Sequence, residues 1–391
     1  MPEWTHELGE LAAGMVDRLR RAGNRLERLI DRDPYHIVGY RGYGSGTRVL
    51  VHGRVLEDEG IRPADPAHSD WRNLMDALRR LESDPLPFAR VRASIGRSTR
   101  ELVADEEGFF REWMPLAEPL AEDGWHPVRL ALVGADHAGA PEATAPVLRP
   151  PAAPAFGVVS DMDDTVLQSS VTSFIRAARM VLLENARTRL PFPGVAAFYR
   201  ALHGGLEGRG NPIFYVSSSP WNLYDVIADF LELQRIPAGP LLLRDWDLGR
   251  SLKGHGEHKQ RLIAEVFDAY PTLPFILVGD STQEDPEIYA DLVRRYPGRV
   301  LAVYVRNVGA HPERSAAIRE LTKVVVDAGS SMVMADDTLA AARHAAEHGW
   351  IPSEALGEIG ADKRDDVSGP AKVDAPGVDP TVTGPTVVVE E

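Results

Sequence analysis

Phe156-Gly157-Val158-Val159-Ser160-Asp161-Met162-Asp163-Asp164-Thr165 is the stretch from which the rest of the chain is read. Its apolar start reads as a short buried strand. Asp161 and Asp163 then lie two residues apart at the strand's end, where both can face one site beyond the sheet edge. One carboxylate can attack a phosphorus atom while the other manages the leaving group's proton, as aspartyl-phosphate chemistry requires. A calcium loop fits poorly, because it wants Gly at its sixth position and Val166 stands there. Alone, the motif fits a plain acidic turn as well.

Three later features add to it. Ile213 to Val216 reads as a second apolar strand ending in Ser217-Ser218-Ser219-Pro220-Trp221. Hydroxyls and free amides at a strand end can hold a phosphoryl oxygen, although a simple turn has the same composition. Phe275 to Val278 reads as a third strand, ending in Gly279-Asp280-Ser281 with Asp285 further on. Asp280 can ligate a hard divalent cation beside Asp161. Asp285 precedes Pro286, which also suits a helix N-cap. Between these strands Lys259 opens a helical stretch, Gln260 to Ala269, and can neutralise a carboxylate or phosphate. Lys253 is the other candidate, but Lys259 starts the helix that leads into the third strand. His255 and His258 nearby read as solvated loop histidines.

This order of parts resembles the haloacid dehalogenase-like superfamily. The resemblance implies an α/β fold, a Rossmannoid parallel sheet with helices on both faces. It implies Asp161 as nucleophile and Asp163 as the acid and base. Ser217, with Ser218 beside it, would bind the phosphoryl group. Lys259 would steady the charge. Mg²⁺ would sit on Asp161, Asp163 (through its main-chain carbonyl) and Asp280, with Asp285 a second or outer metal-site carboxylate. A carboxylate at Asp163 favours a phosphatase over a carbon–halogen hydrolase or an ion pump, and such a group contributes roughly 10²–10⁴-fold.

The 391 residues are enough for two domains. A net charge of −15 argues against a nucleic-acid partner. The absence of cysteine excludes disulfides and thiolate metal sites and fits a reducing, cytoplasmic setting. No signal peptide or membrane span is expected. Residues 1–33 are expected to hold an amphipathic helix over 6–31, with Leu8, Leu11, Met15, Leu19, Ala22, Leu26 and Leu29 recurring at three- and four-residue steps and an Arg cluster in its second half. It reads as a helix docked on the protein or paired with a copy of itself, or as a foot on an anionic membrane. Residues 34–150 read as a smaller β-rich domain, similar to a β-sandwich, interrupted by a helix at Asp70 to Glu82. Pro146 to Pro154 reads as the linker. Residues 151–353 alternate strands and helices as a catalytic domain. Residues 354–391 read as a disordered tail.

The insert from Val166 to Arg189, with one helix at about Thr172 to Arg187, and the stretch from Trp221 to His258 both look too small for a full cap over the site. A poorly capped site suits a bulky or surface-embedded substrate. Ser217 to Tyr224, Leu243-Arg244-Asp245-Trp246, His258-Lys259, Asp285 to Tyr289, Tyr304-Val305-Arg306 and Gly39-Tyr40-Arg41-Gly42-Tyr43-Gly44 resemble the phosphatidate phosphatases of the actin-patch-protein type and their bacterial relatives. That resemblance implies hydrolysis of phosphatidate or a related lipid phosphate, with peripheral membrane contact through residues 6–31. The long actin-binding tails are missing, so no cytoskeletal partner is expected. A soluble phosphatase on small phosphate monoesters or phosphoproteins is the alternative. A non-catalytic adaptor on the same fold is a third reading, disfavoured because none of the charged motif residues is lost.

Overall fold

The computed structural model describes residues 35–57, 85–120, 123–134, 142–162, 193–208, 210–244, 255–281, 284–307 and 312–368. Asp163, the helices expected at 6–31, at Asp70 to Glu82 and at Thr172 to Arg187, and residues 369–391 lie outside them.

The N-terminal half is β structure: β1 (Tyr35–Gly39), β2 (Gly42–Tyr43), β3 (Arg48–Glu57), β4 (Arg90–Ile95), β5 (Ser98–Val103), β6 (Phe109–Pro115), β7 (Gly124–Leu132) and β8 (Glu142–Arg149). One sheet runs β1-β3-β6 and the other β2-β8-β7-β4-β5. Every pairing is antiparallel except the short β2–β8 contact. Val49, Val51, Val55 and Met114 of the first sheet share a core with Val91, Leu102, Val128, Leu130 and Val147 of the second.

The second half is built on a parallel sheet of β9 (Gly157–Asp161), β10 (Ile213–Pro220), β11 (Leu241–Arg244), β12 (Phe275–Asp280), β13 (Val300–Arg306) and β14 (Ser331–Ala335). Its order is β11-β10-β9-β12-β13-β14. The described helices are α1 (Val195–Gly204), α2 (Tyr224–Leu233), α3 (His255–Ala269), α4 (Asp285–Arg295), α5 (Pro312–Asp327), α6 (Thr338–Glu347) and α7 (Ala355–Ser368). Val158, Ile213, Tyr215, Ile276 and Tyr304 pack with α1, α2, α6 and α7. Their chain neighbours Val159, Phe214, Val216, Leu277 and Val303 pack with α3, α4 and α5 on the opposite face. Burial on both faces is why these strands are unbroken apolar runs in the sequence. The chain builds outward from β9 to β10 and β11, then returns to β12 on β9's other side. The carboxyl ends of β9, β10 and β12 therefore meet where the strand order reverses, which is where open α/β sheets bind ligands.

Several sequence expectations are corrected here. Part of the expected disordered tail, 354–391, is the helix α7, anchored by fully buried Ile359 and by an ion pair of Lys363 with Asp337 at 2.5 Å. Part of the expected linker, Pro146 to Arg149, is strand β8. Pro127 and Pro146 lie opposite each other in the β7–β8 ladder, so their missing N–H groups fall on one rung. The helix carrying Lys259 begins at His255, placing Lys259 inside it and not at its start.

Helix α7 also completes α1. Gly194 at the N-terminus of α1 offers no side-chain cap. Instead the Gly194 N–H donates to Asp366 Oδ2 at 2.8 Å and the Ala197 N–H to Asp362 Oδ2 at 3.2 Å. Asp366 is buried, so its loss leaves an amide without water. Asp366→Ala is expected to cost about 1–3 kcal/mol in urea unfolding, and Asp366→Asn clearly less, because its amide oxygen still accepts. Equal losses in the two variants would mean that α7 does not cap α1.

Candidate active site

Strand β9 delivers Asp161 to the reversal point. Its ladder with β10 ends at Asp161 opposite Val216, which puts Ser217 immediately beyond. Ser160, buried in an otherwise apolar strand, needs polar partners and has two. Its Oγ donates to the Asp161 carbonyl at 2.9 Å and lies 2.6 Å from the Tyr199 hydroxyl. Burial pushes the Tyr199 phenol up to about 12, against the Ser160 hydrogen bond, so it stays protonated. The end of β9 is thus fixed from behind by α1.

Strand β12 delivers Asp280, and the turn after it starts α4 at Asp285. The N-cap of α4 is Glu284, so the capping role expected for Asp285 is not the one it has. Its carboxylate turns back into the protein, accepts the Asp280 N–H at 3.2 Å and pairs with Lys259. Gly279 makes this possible: a Cβ there would sit 2.4 Å from Asp285 Oδ2. One turn along α4, the Tyr289 hydroxyl donates to the Val278 carbonyl at 2.9 Å and ties the helix to the strand.

Lys259 projects from α3 between two acids. Its Nζ donates to Asp161 Oδ1 at 2.5 Å and to Asp285 Oδ1. The three side chains are nearly inaccessible, at 4% for Lys259, 4% for Asp161 and 0% for Asp285. Burial pushes the Asp285 carboxyl up from the usual carboxylate range, while the Lys259 ammonium pulls it down. Asp161, Asp280 and Asp285 each offer a carboxylate oxygen within 4.8 Å of the others. Three hard oxygen donors and one ammonium share a buried space. That donor set fits a hard divalent cation such as Mg²⁺.

Of the residues singled out from the sequence, Asp161, Lys259, Asp280 and Asp285 converge in this cluster. Ser217 and Ser218 lie at its β10 edge, and Ser217 Oγ accepts the Ser219 N–H at 3.0 Å. Asp163 and Lys253 fall outside the described residues. His258 lies 3.0 Å from Arg261 through Nδ1 and is not among the clustered carboxylates.

Residues 156–307 match the sequence profile of the family described as the catalytic domain of phosphatidate phosphatase APP1. That segment is the part of the chain that is similar to this catalytic-domain family. Phosphatidate phosphatase APP1 of Saccharomyces cerevisiae is 29% identical over 155 residues, 39% of this chain and 26% of that protein. An uncharacterized protein of Schizosaccharomyces pombe is 23% identical over 156 residues, 39% of this chain and 25% of that one. The chain thus aligns with about a quarter of the length of these relatives. A solved carbohydrate acetylesterase from Xanthomonas citri covers 67% of this chain and 66% of its own at 14% identity, with a TM-score of 0.22, too low to carry an argument.

The catalytic-domain segment holds every residue of the cluster, and also the supports that sequence reading missed. Ser160 could have been found as a polar residue inside an apolar strand. Gly279 could have been found as a strand glycine, which marks a close approach. Tyr199 carries no local signal, because its partner lies 39 positions away.

Proposed function

We propose that this chain is a Mg²⁺-dependent phosphatase that works through an aspartyl-phosphate on Asp161 and hydrolyses phosphatidate or a related lipid phosphate. The observation that carries the reading is the buried Asp161–Lys259–Asp285 arrangement with Asp280, at the reversal point of the sheet and inside the catalytic-domain segment. The lipid substrate comes from what the yeast relative is named for. The order of parts along the chain supports a haloacid dehalogenase-like arrangement.

In this reading Asp161 attacks phosphorus, forming an Oδ–P bond as the ester P–O bond breaks. Asp163 gives its proton to the departing alcohol oxygen. Asp163 then takes a proton from water, whose oxygen attacks the same phosphorus and releases Asp161 and inorganic phosphate. Ser217 and Ser218 hold phosphoryl oxygens. Lys259 pairs with Asp161 and aims it, which matters because phosphoryl transfer is mostly positioning and charge neutralisation. Asp161, the Asp163 carbonyl and Asp280 would hold Mg²⁺, with Asp285 behind them, and the ion would supply charge neutralisation on the phosphoryl oxygens.

The test is phosphate release in Mg²⁺ and in EDTA from phosphatidate in mixed micelles, lysophosphatidate, sugar phosphates, nucleotides and phosphopeptides. Release from phosphatidate that EDTA abolishes is expected. Turnover of a soluble ester with none of phosphatidate would overturn the lipid substrate and leave a soluble phosphatase. Activity indifferent to EDTA would overturn the metal.

A further inference from the structure

The register of β10 is irregular at Ser217, Ser218 and Ser219. β10 pairs with β11 at Tyr215↔Leu241 and Val216↔Leu242, and next at Pro220↔Arg244. Three serines therefore stand against the single residue Leu243. On the other side the β9 ladder stops at Val216. The stretch is a bulge, a device that re-aims side chains beside active sites. Its near end is fixed by the ladders at Val216, and its far end is set by the pairing of Pro220 with Arg244 and by the packing of Trp221, the next residue.

Trp221 is held by the N-terminal half. Its buried ring stacks on Tyr40, with centroids 5.0 Å apart and planes at 12°, and meets the edge of His52 at 4.9 Å. Burial drives the His52 imidazole down to about 3, so the ring is neutral and its Nε2–H donates to the Arg41 carbonyl at 3.0 Å. The Arg41 N–H donates to the Tyr224 hydroxyl at 2.7 Å, and Tyr224 lies 4.3 Å from Tyr40. Tyr40 and Arg41 stand between glycines that press on strand backbone. A Cβ at Gly39 would meet Thr144 O at 2.5 Å, and one at Gly42 would meet Leu50 O at 2.0 Å. The segment is therefore threaded between strands and gives Tyr40 a rigid base.

We infer that Tyr40 is a positioning residue for the phosphate-binding edge: by clamping Trp221 it fixes the exit of the Ser217–Ser219 bulge, so the N-terminal β half completes a site whose reacting groups all lie in the other half. Tyr40 stands outside residues 156–307, the segment that the family match covers. The clamp presupposes the phosphoryl-binding role proposed for Ser217.

The test compares full-length wild type with Tyr40→Ala, Tyr40→Leu, Tyr40→Phe and, as a control, Leu130→Ala. Leu130 is in the β core and its loss destabilises without touching Trp221. Two quantities are read with Mg²⁺ present: KM and kcat for p-nitrophenyl phosphate, and the Kd of inorganic phosphate by calorimetry. Loosening the bulge should raise KM and Kd together by about tenfold or more in Tyr40→Ala, with kcat moving much less. Tyr40→Leu repeats the measurement should the alanine variant fail to fold. Tyr40→Phe, which keeps the stack, should behave as wild type. Unchanged KM and Kd in the first two variants, or the same shift in Leu130→Ala, would overturn the clamp. Absence of phosphate binding by wild type would overturn it too. If wild type binds phosphate but hydrolyses nothing, the phosphatase reading falls and the Kd values alone decide the clamp.

Discussion

Asp161→Asn is expected to cut phosphate release by about 10³-fold or more while leaving the protein at least as resistant to urea as wild type. The loss follows from chemistry, since a neutral amide oxygen is a poor nucleophile toward phosphorus. The stability follows from charge. Asp161, Asp280 and Asp285 crowd within 4.8 Å with Lys259 as the ammonium between two of them. Removing one negative charge relieves repulsion, and the amide oxygen introduced there can still accept from Lys259. Strain of this kind is tolerated where activity needs it. Turnover above about a tenth of wild type would dismiss Asp161 as nucleophile, being more than loss of one allows. A lower urea midpoint at unchanged slope would instead contradict the account of the charges.

The opposite substitution should be costly. Lys259→Met keeps an unbranched apolar stem but takes the ammonium from between Asp161 and Asp285, whose side chains are 4% and 0% exposed. Stripping one member from a buried ion pair costs about 3–5 kcal/mol, because the partner is left as an uncompensated charge. In EDTA, Lys259→Met should therefore unfold at far lower urea than wild type, and saturating Mg²⁺ should restore part of the difference by binding only the folded cluster. A midpoint that moves little in EDTA would show that the carboxylates are neutral there and need no ammonium. A large loss that Mg²⁺ leaves untouched would argue that the cluster does not bind the ion.

Much of the site was legible because buried parallel strands are written as short apolar runs, and the residues just after each run reach the same sheet edge. Phe156 to Val159, Phe275 to Val278 and Ile213 to Val216 announced Asp161, Asp280 and Ser217 in that way. Asp285 was misread in part, because Asp before Pro at a helix start matches capping chemistry, and only the absent side chain of Gly279 lets its carboxylate turn inward. The end of the chain was misread for a related reason. The composition of α7 is that of a tail, and what orders it lies far away, in Gly194, Ala197 and Asp337. β1, β2, β6 and β8 are short or Pro-bearing strands of antiparallel sheets and give little periodic signal, whereas Val49, Val51 and Val55 of β3 alternate around Gly53.

The place of β9 between β10 and β12 has a consequence for how the protein is made. A ribosome releases the chain N-terminus first, so β9 emerges well before either neighbour, and β12 last of the three. Lys259 and Asp161, hydrogen-bonded in the finished protein, are 98 positions apart, and closing such distant pairs is the slow part of folding a parallel sheet. Until β12 docks, one edge of β9 stands open with its row of unpaired amides, an invitation to pair with another chain. The carboxylate cluster cannot template this step, because two of its members, Asp280 and Asp285, arrive only with β12 and the turn beyond it. Assembly of the β half, complete by Arg149, is the event that can come first, and it offers a prepared surface on Tyr43 to the incoming β10 and on Tyr40 to Trp221 just after it.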